Sequence, residues 1–169
     1  MKKILIIGVA LLAICISISA VSADEGWSFN FSKSEDTNTD GGQMKFDNGK
    51  LNLQDLAFTI PDGFKENESA RKLAEAAEDV KDAKYSACEF IKDGKEIVVK
   101  VFFSTDGSDF TNITPDDTSA VEKTISGNKG YLIENKYNDN TPTFQFVKNG
   151  KLVEVNAPDE ATIESVIKG

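Results

Sequence analysis

Tyr85-Ser86-Ala87-Cys88-Glu89-Phe90-Ile91 and Ile97-Val98-Val99-Lys100-Val101-Phe102-Phe103 are two β-rich runs separated only by Lys92-Asp93-Gly94-Lys95 and Glu96. Asp-Gly between two such runs favours a two-residue turn with a left-handed backbone at both central positions, so the pair reads as a hairpin. The second run is nearly all apolar and is expected as a central strand covered on both faces. Cys88 lies inside the first run, where it reads as a small buried apolar residue.

The same signal recurs outward from this hairpin. Asp47-Asn48-Gly49-Lys50 separates the alternating Met44 and Phe46 from Leu51 and Leu53. Asn149-Gly150 joins a run at residues 143–147 to Leu152-Val153-Glu154-Val155, and residues 130–137 form one more strand. Leu56, Phe58 and Ile60 alternate on the opposite parity from Leu51 and Leu53, which suggests a bulge near Gln54-Asp55. Pro61-Asp62-Gly63 then ends the strand with a turn. Trp27-Ser28-Phe29-Asn30-Phe31 alternates as well, as a first strand or an apolar tail.

Three stretches carry helical signals. Over residues 69–83, Ala70, Leu73, Ala77 and Val80 recur at spacings of three or four. Thr114-Pro115-Asp116-Asp117 has a cap, a first-turn proline and two acids at the positive end of a helix dipole, predicting a helix to near Lys123. Pro158-Asp159-Glu160 opens a last helix with Ile163, Val166 and Ile167 on one face. Hairpins enforce antiparallel pairing, so the expected fold is α+β: a mainly antiparallel sheet of about six to seven strands with two or three short helices packed on it.

The N-terminus reads as an export signal. Lys2 and Lys3 precede an apolar run over residues 4–18, and Val21-Ser22-Ala23 supplies the small residues of a cleavage site. Cleavage is expected after Ala23. The alternative is a retained anchor, since residues 4–23 are long enough to cross a bilayer. Both readings place the remainder outside the cell, secreted or at its surface. Residues 24–50 then read as a tail or linker in which a hairpin can form, and residues 51–169 as one domain.

Composition narrows the function. The formal charge is −9, and residues 1–23 hold Lys2 and Lys3 but no acid, so the exported part stands at −11. Such a surface repels phosphates and anionic headgroups, which excludes nucleic acid and leaves membrane contact only to an uncleaved leader. Cys88 is the only cysteine beyond Cys15 of the leader, so no disulfide forms within the exported chain. Histidine is absent, which removes the usual catalytic base and the commonest transition-metal ligand.

Two kinds of candidate site remain. Asp36, Asn38, Asp40, Gly41 and Asp47 occupy positions 1, 3, 5, 6 and 12 of a twelve-residue calcium loop, and calcium takes hard oxygen ligands of this kind. Asp at position 12 resembles dockerin loops. Gln43 departs from the apolar residue usual at position 8, no helical pattern flanks the loop, and a plain Asp/Asn/Thr/Gly linker produces the same match. The second kind comprises three N-glycosylation acceptors, Asn30 (Asn30-Phe31-Ser32), Asn67 (Asn67-Glu68-Ser69) and Asn112 (Asn112-Ile113-Thr114). Pro115, directly after Thr114, makes the third the weakest. No catalytic residue is expected: the acid pairs Asp116/Asp117 and Asp159/Glu160 are accounted for by helix starts.

Phe58-Thr59-Ile60-Pro61-Asp62-Gly63-Phe64, followed by Glu68-Ser69-Ala70-Arg71, and the ending with Lys148-Asn149-Gly150-Lys151-Leu152-Val153 and Ala157-Pro158-Asp159-Glu160, resemble small exported proteins of methanogenic archaea that have no assigned activity. An archaeal host would give the three acceptor motifs a use. The Ile-Pro-Asp-Gly-Phe phrase is also similar to one in PsbP/Mog1-like α+β domains, which implies architecture and no site residue. The expected function is an exported, acidic, non-enzymatic surface or secreted module with an extracellular or cell-surface partner. The alternatives are a calcium-binding adhesion or scaffold element and a carboxylate-dependent extracellular enzyme.

Overall fold

A computed structural model describes residues 28–33, 44–78, 80–115, 119–135 and 141–169. The central hairpin is present and long. β7 (Ala83–Lys92) and β8 (Lys95–Ser104) pair along their full length, from Ala83 opposite Ser104 to Lys92 opposite Lys95. Asp93 and Gly94 turn it with φ of 49° and 77°. β8 lies inside the sheet, flanked by β7 and by β13 (Lys151–Asn156).

From β13 the sheet continues through β12 (Thr141–Lys148) and β11 (Asn128–Asn135) to an edge at β10 (Val121–Ile125). On its other side β7 carries two short strands, β5 (Lys65–Glu66) and β6 (Lys72–Ala76). A separate three-stranded meander comprises β2 (Lys45–Asp47), β3 (Lys50–Leu53) and β4 (Leu56–Thr59). β1 (Ser28–Lys33) pairs with β9 (Ser108–Thr114) in a two-stranded ribbon. All pairings are antiparallel. One α-helix, α1 (Glu160–Ile167), completes the described elements.

Alternation along the strands gives the main sheet two faces with different fillings. On the first, Cys88, Phe90, Val99, Val101, Phe144, Phe146, Val153 and Val155 meet Leu51, Leu53, Leu56 and Phe58 of the meander and Ile163, Val166 and Ile167 of α1. Each such side chain contributes about 1.5–3 kcal/mol when fully buried. On the second, Leu152 and Ala83 pack with Val80 and with Phe110 and Ile113 of β9. A bulge in β9 makes that contact possible. Asn30 stands opposite Asn112 but Phe31 opposite Phe110, so Thr111 is the extra residue. It allows Phe110 and Ile113, three apart, both to be buried.

The expectation of an α+β fold with two or three helices is overturned: the described chain is mostly β, with a single α-helix. Residues 69–83 are no helix. A short 3-10 turn at Glu68–Ala70 leads into β6, which pairs with β7 across a bulge between Lys72 and Glu75. Ala70, Ala77 and a half-exposed Leu73 offer a helix little area to bury, whereas the β7 edge offers a ladder of backbone hydrogen bonds, so tertiary context overrides local propensity. The helix predicted from Thr114 to near Lys123 is absent from the described part of that stretch, residues 116–118 lying outside the described residues. Thr114 ends β9, and residues 121–125 form β10. Its return turn is Ser126-Gly127, with φ of 49° and 78°. The last helix is as read: Asp159 Oδ1 accepts from the Thr162 amide at 2.8 Å, and Ile163, Val166 and Ile167 are buried.

The parity change after Leu53 has a different cause from the expected bulge. Gln54 and Asp55 both have positive φ (52° and 62°) and reverse the chain, placing Leu53 opposite Leu56 and Leu51 opposite Phe58. Partners across an antiparallel ladder share a face, so all four side chains enter one core.

Candidate functional site

The densest buried chemistry among the described residues lies on the second sheet face. Gln145 of β12, Glu154 of β13 and Lys100 of β8 stand in one cross-strand row. They are 7, 5 and 7% exposed. Gln145 Nε2 donates to Glu154 Oε2 at 2.6 Å, and Lys100 Nζ stands 3.9 Å from Glu154 Oε1. The ammonium also lies 5.6 Å from the centre of the Tyr85 ring, within reach of a cation–π attraction. Gln145 Oε1 is buried and without a hydrogen-bond donor. Beside this row, Asn156 Nδ2 reaches Thr143 Oγ1 at 2.9 Å.

The arrangement balances one negative and one positive charge in a place closed to water. Its carboxylate is engaged on both oxygens, so it serves as a fixed electrostatic link across three strands. Sequence reading passed over it, although a signal was present. Lys100 interrupts one apolar run and Glu154 another, and two opposite charges inside buried strands must find each other or a comparable partner.

A second carboxyl, Glu89 of β7, is 3% exposed. Asn67 Nδ2 donates to its Oε1 at 3.3 Å. Burial pushes the Glu89 pKa up, and the Asn67 bond works against that rise. Nearby Glu96 is also raised, by burial first and by the charge of Glu89 second. Between β8 and β9, Asp106 Oδ1 accepts from the hydroxyls of Ser104 and Ser108, the latter at 2.6 Å, and from the Ser108 amide at 3.0 Å. These bonds, that from Ser104 foremost, lower its pKa to about 2. A shallow depression of about 380 Å³ lies between α1 and the β10–β11 turn, lined by Thr124, Ile125, Ser126, Glu160, Ala161 and Glu164. Its two acids are matched by lysines, Glu160 with Lys123 at 2.6 Å and Glu164 with Lys168 at 2.8 Å.

Of the residues singled out for calcium, Asp36, Asn38 and Asp40 lie outside the described residues. Asp47 ends β2 opposite Lys50, at the entry to the Asn48-Gly49 turn. No group of three or more acidic or cysteine side chains placed to hold a metal occurs among the described residues. Of the glycan acceptors, Asn30 and Asn112 come together, opposite each other in the β1–β9 ladder. Asn67 stands apart, at the N-cap position of the 3-10 turn, with its side chain bonded to Glu89. Cys88 is 1% exposed, with its thiol 3.2 Å from Met44 Sδ. Burial pushes its pKa up to about 12. No helix of the described residues is long and apolar enough to cross a membrane.

Compared with known proteins, the chain matches no family model, no curated protein and no solved structure.

Proposed function

We propose that the chain is an exported, non-enzymatic module that binds an extracellular or cell-surface partner presenting a basic surface. The leader of Lys2, Lys3, the apolar run 4–18 and Val21-Ser22-Ala23 supports export. The observation that carries the non-catalytic reading is how the acids are used. The buried Glu154 is held by Lys100 and Gln145, Asp106 closes a turn, and Asp159 caps α1. A catalytic acid needs an open face toward a substrate, and these are committed to the fold. The exported part as a whole carries a formal charge of −11, which complements a basic partner.

The test is to express the full chain with its leader, recover it from outside the cell and sequence its N-terminus. The exported protein is then sedimented with isolated cell envelopes at increasing salt. Expected are a start at Asp24 and saturable binding that weakens as salt shortens the screening length to about 10 Å and below. Retention inside the cell, or no binding at low salt, defeats the proposal.

A further inference from the structure

Two of the three acceptor motifs, those of Asn67 and Asn112, differ sharply in what surrounds the asparagine, and the difference reverses the order that sequence suggests. N-glycosylation forms a bond between Nδ2 and the anomeric carbon of a lipid-linked oligosaccharide phosphate. The bond from that carbon to phosphate oxygen breaks, the lipid phosphate departs, and Nδ2 loses one proton to the transferase. The acceptor nitrogen must therefore be reachable, and the bulky product must have room in the folded chain.

At Asn67 that nitrogen is already in use. Nδ2 donates to Oε1 of Glu89, a carboxyl only 3% exposed. Oδ1 accepts from Ser69 Oγ at 2.7 Å, so the hydroxyl of the motif is held as well. The Asn67 backbone is pinned too: its amide donates to Glu89 O at 2.8 Å, and its carbonyl accepts from the Ala70 amide at 3.0 Å. Asn67 is half-buried and works as a clamp between the 3-10 turn and β7. A sugar on Nδ2 would sit against a buried carboxyl.

At Asn112 the local structure does the opposite. The extra residue of the β9 bulge lets Phe110 and Ile113 both turn into the second core, at 1% and 4% exposure, while Thr111 and Asn112 between them stay exposed. Asn112 Oδ1 accepts from the Ile113 amide at 2.9 Å, a bond that engages the side-chain oxygen and not the acceptor nitrogen. Thr114, whose hydroxyl the transferase must read, is exposed as well. We infer that Asn112 is an N-glycosylation acceptor of the exported chain and that Asn67 is a structural clamp that stays bare. The inference rests on the export proposed above.

The experiment secretes the full chain from a host with an N-glycosylating export route. The recovered protein is treated with peptide-N-glycosidase in heavy-oxygen water, which converts each glycosylated Asn to a labelled Asp, and is mapped by mass spectrometry. Expected are label at position 112, none at 67, and loss of the 112 label in Thr114→Ala with thermal stability unchanged. Pro115→Ala, which removes the residue unfavourable to transfer, is expected to raise occupancy at 112. An exported chain bare at Asn112 in both the wild type and Pro115→Ala overturns the inference, as does a glycan on Asn67 of the folded protein. A failure of export is distinguishable from either, because the chain is then found inside the cell with its leader attached.

Discussion

Lys100 Nζ stands 3.9 Å from Glu154 Oε1, with both side chains more than nine-tenths buried. Taking two charges out of water costs several kcal/mol per ion, which the pair recovers only while both members are present. Lys100→Met leaves Glu154 with Gln145 as its one partner and is expected to destabilise the fold by about 3–5 kcal/mol. Adding Glu154→Leu should restore much of that loss. Urea unfolding at neutral pH reads both, and a double variant as unstable as the single one rules out the coupling. Asp106 makes a prediction in pH. Its folded pKa of about 2 lies below the ordinary value of 3.8, so its contribution is present above about pH 4 and is lost as pH falls toward 2. The stability gap between wild type and Asp106→Asn should be open at pH 6 and closed near pH 2. A gap that stays constant across that window shows that the serine hydroxyls do not hold the carboxylate.

Ala74 of β6 decides whether residues 69–83 are a strand edge or a helix. It has φ +53°, and its amide donates to Ser86 Oγ at 3.0 Å, inside the bulge that joins β6 to β7. Ser86 also accepts from Gln54 Nε2 at 2.7 Å, so one buried hydroxyl ties β6, β7 and the β3–β4 turn together. A left-handed backbone costs a residue with a Cβ about 1–2 kcal/mol, and glycine avoids it. Ala74→Gly is therefore expected to raise stability by roughly 1 kcal/mol, whereas in a helix the same change lowers it by a similar amount. The sign of the shift in the urea midpoint separates the two. The elements legible from sequence were those fixed by a few adjacent residues: the Asn48-Gly49, Asp93-Gly94 and Asn149-Gly150 turns and the capped start of α1. The elements missed depend on distant partners. β6 exists because the β7 edge was open, and β9 because Phe110 and Ile113 had a second sheet face to cover. The Ser126-Gly127 turn was readable, but the helix expected up to Lys123 hid it. The buried charge row went unread because Lys100 and Glu154 are 54 positions apart in the chain and adjacent only across the β8–β13 ladder.

As a whole, the described chain is held by two apolar fillings and no covalent staple. Cys88 is its only cysteine, buried against Met44, with its pKa pushed up to about 12. The thiol is thus protonated and shielded at pH 8. A reductant is expected to leave the thermal midpoint unchanged, and a thiol-specific reagent to react only as the protein unfolds. Reaction in the native state, or a midpoint that falls with reductant, would show that Cys88 is reachable or bridged. The fold class itself came out more β-rich than read because stretches expected as helix carry sheet edges instead, β6 at one end and, at the other, β10, which begins within the last residues of the second expected helix. That placement bears on how molecules of this kind keep apart at high concentration. A sheet is a polymer in its hydrogen-bonding direction, and any straight outer strand can template another chain. At the β5/β6 end the outer row is short, interrupted by a 3-10 turn and kinked at Ala74, so an incoming strand finds no continuous ladder. Head-to-tail stacking into a fibre needs both ends of the sheet, and this kink removes one of them.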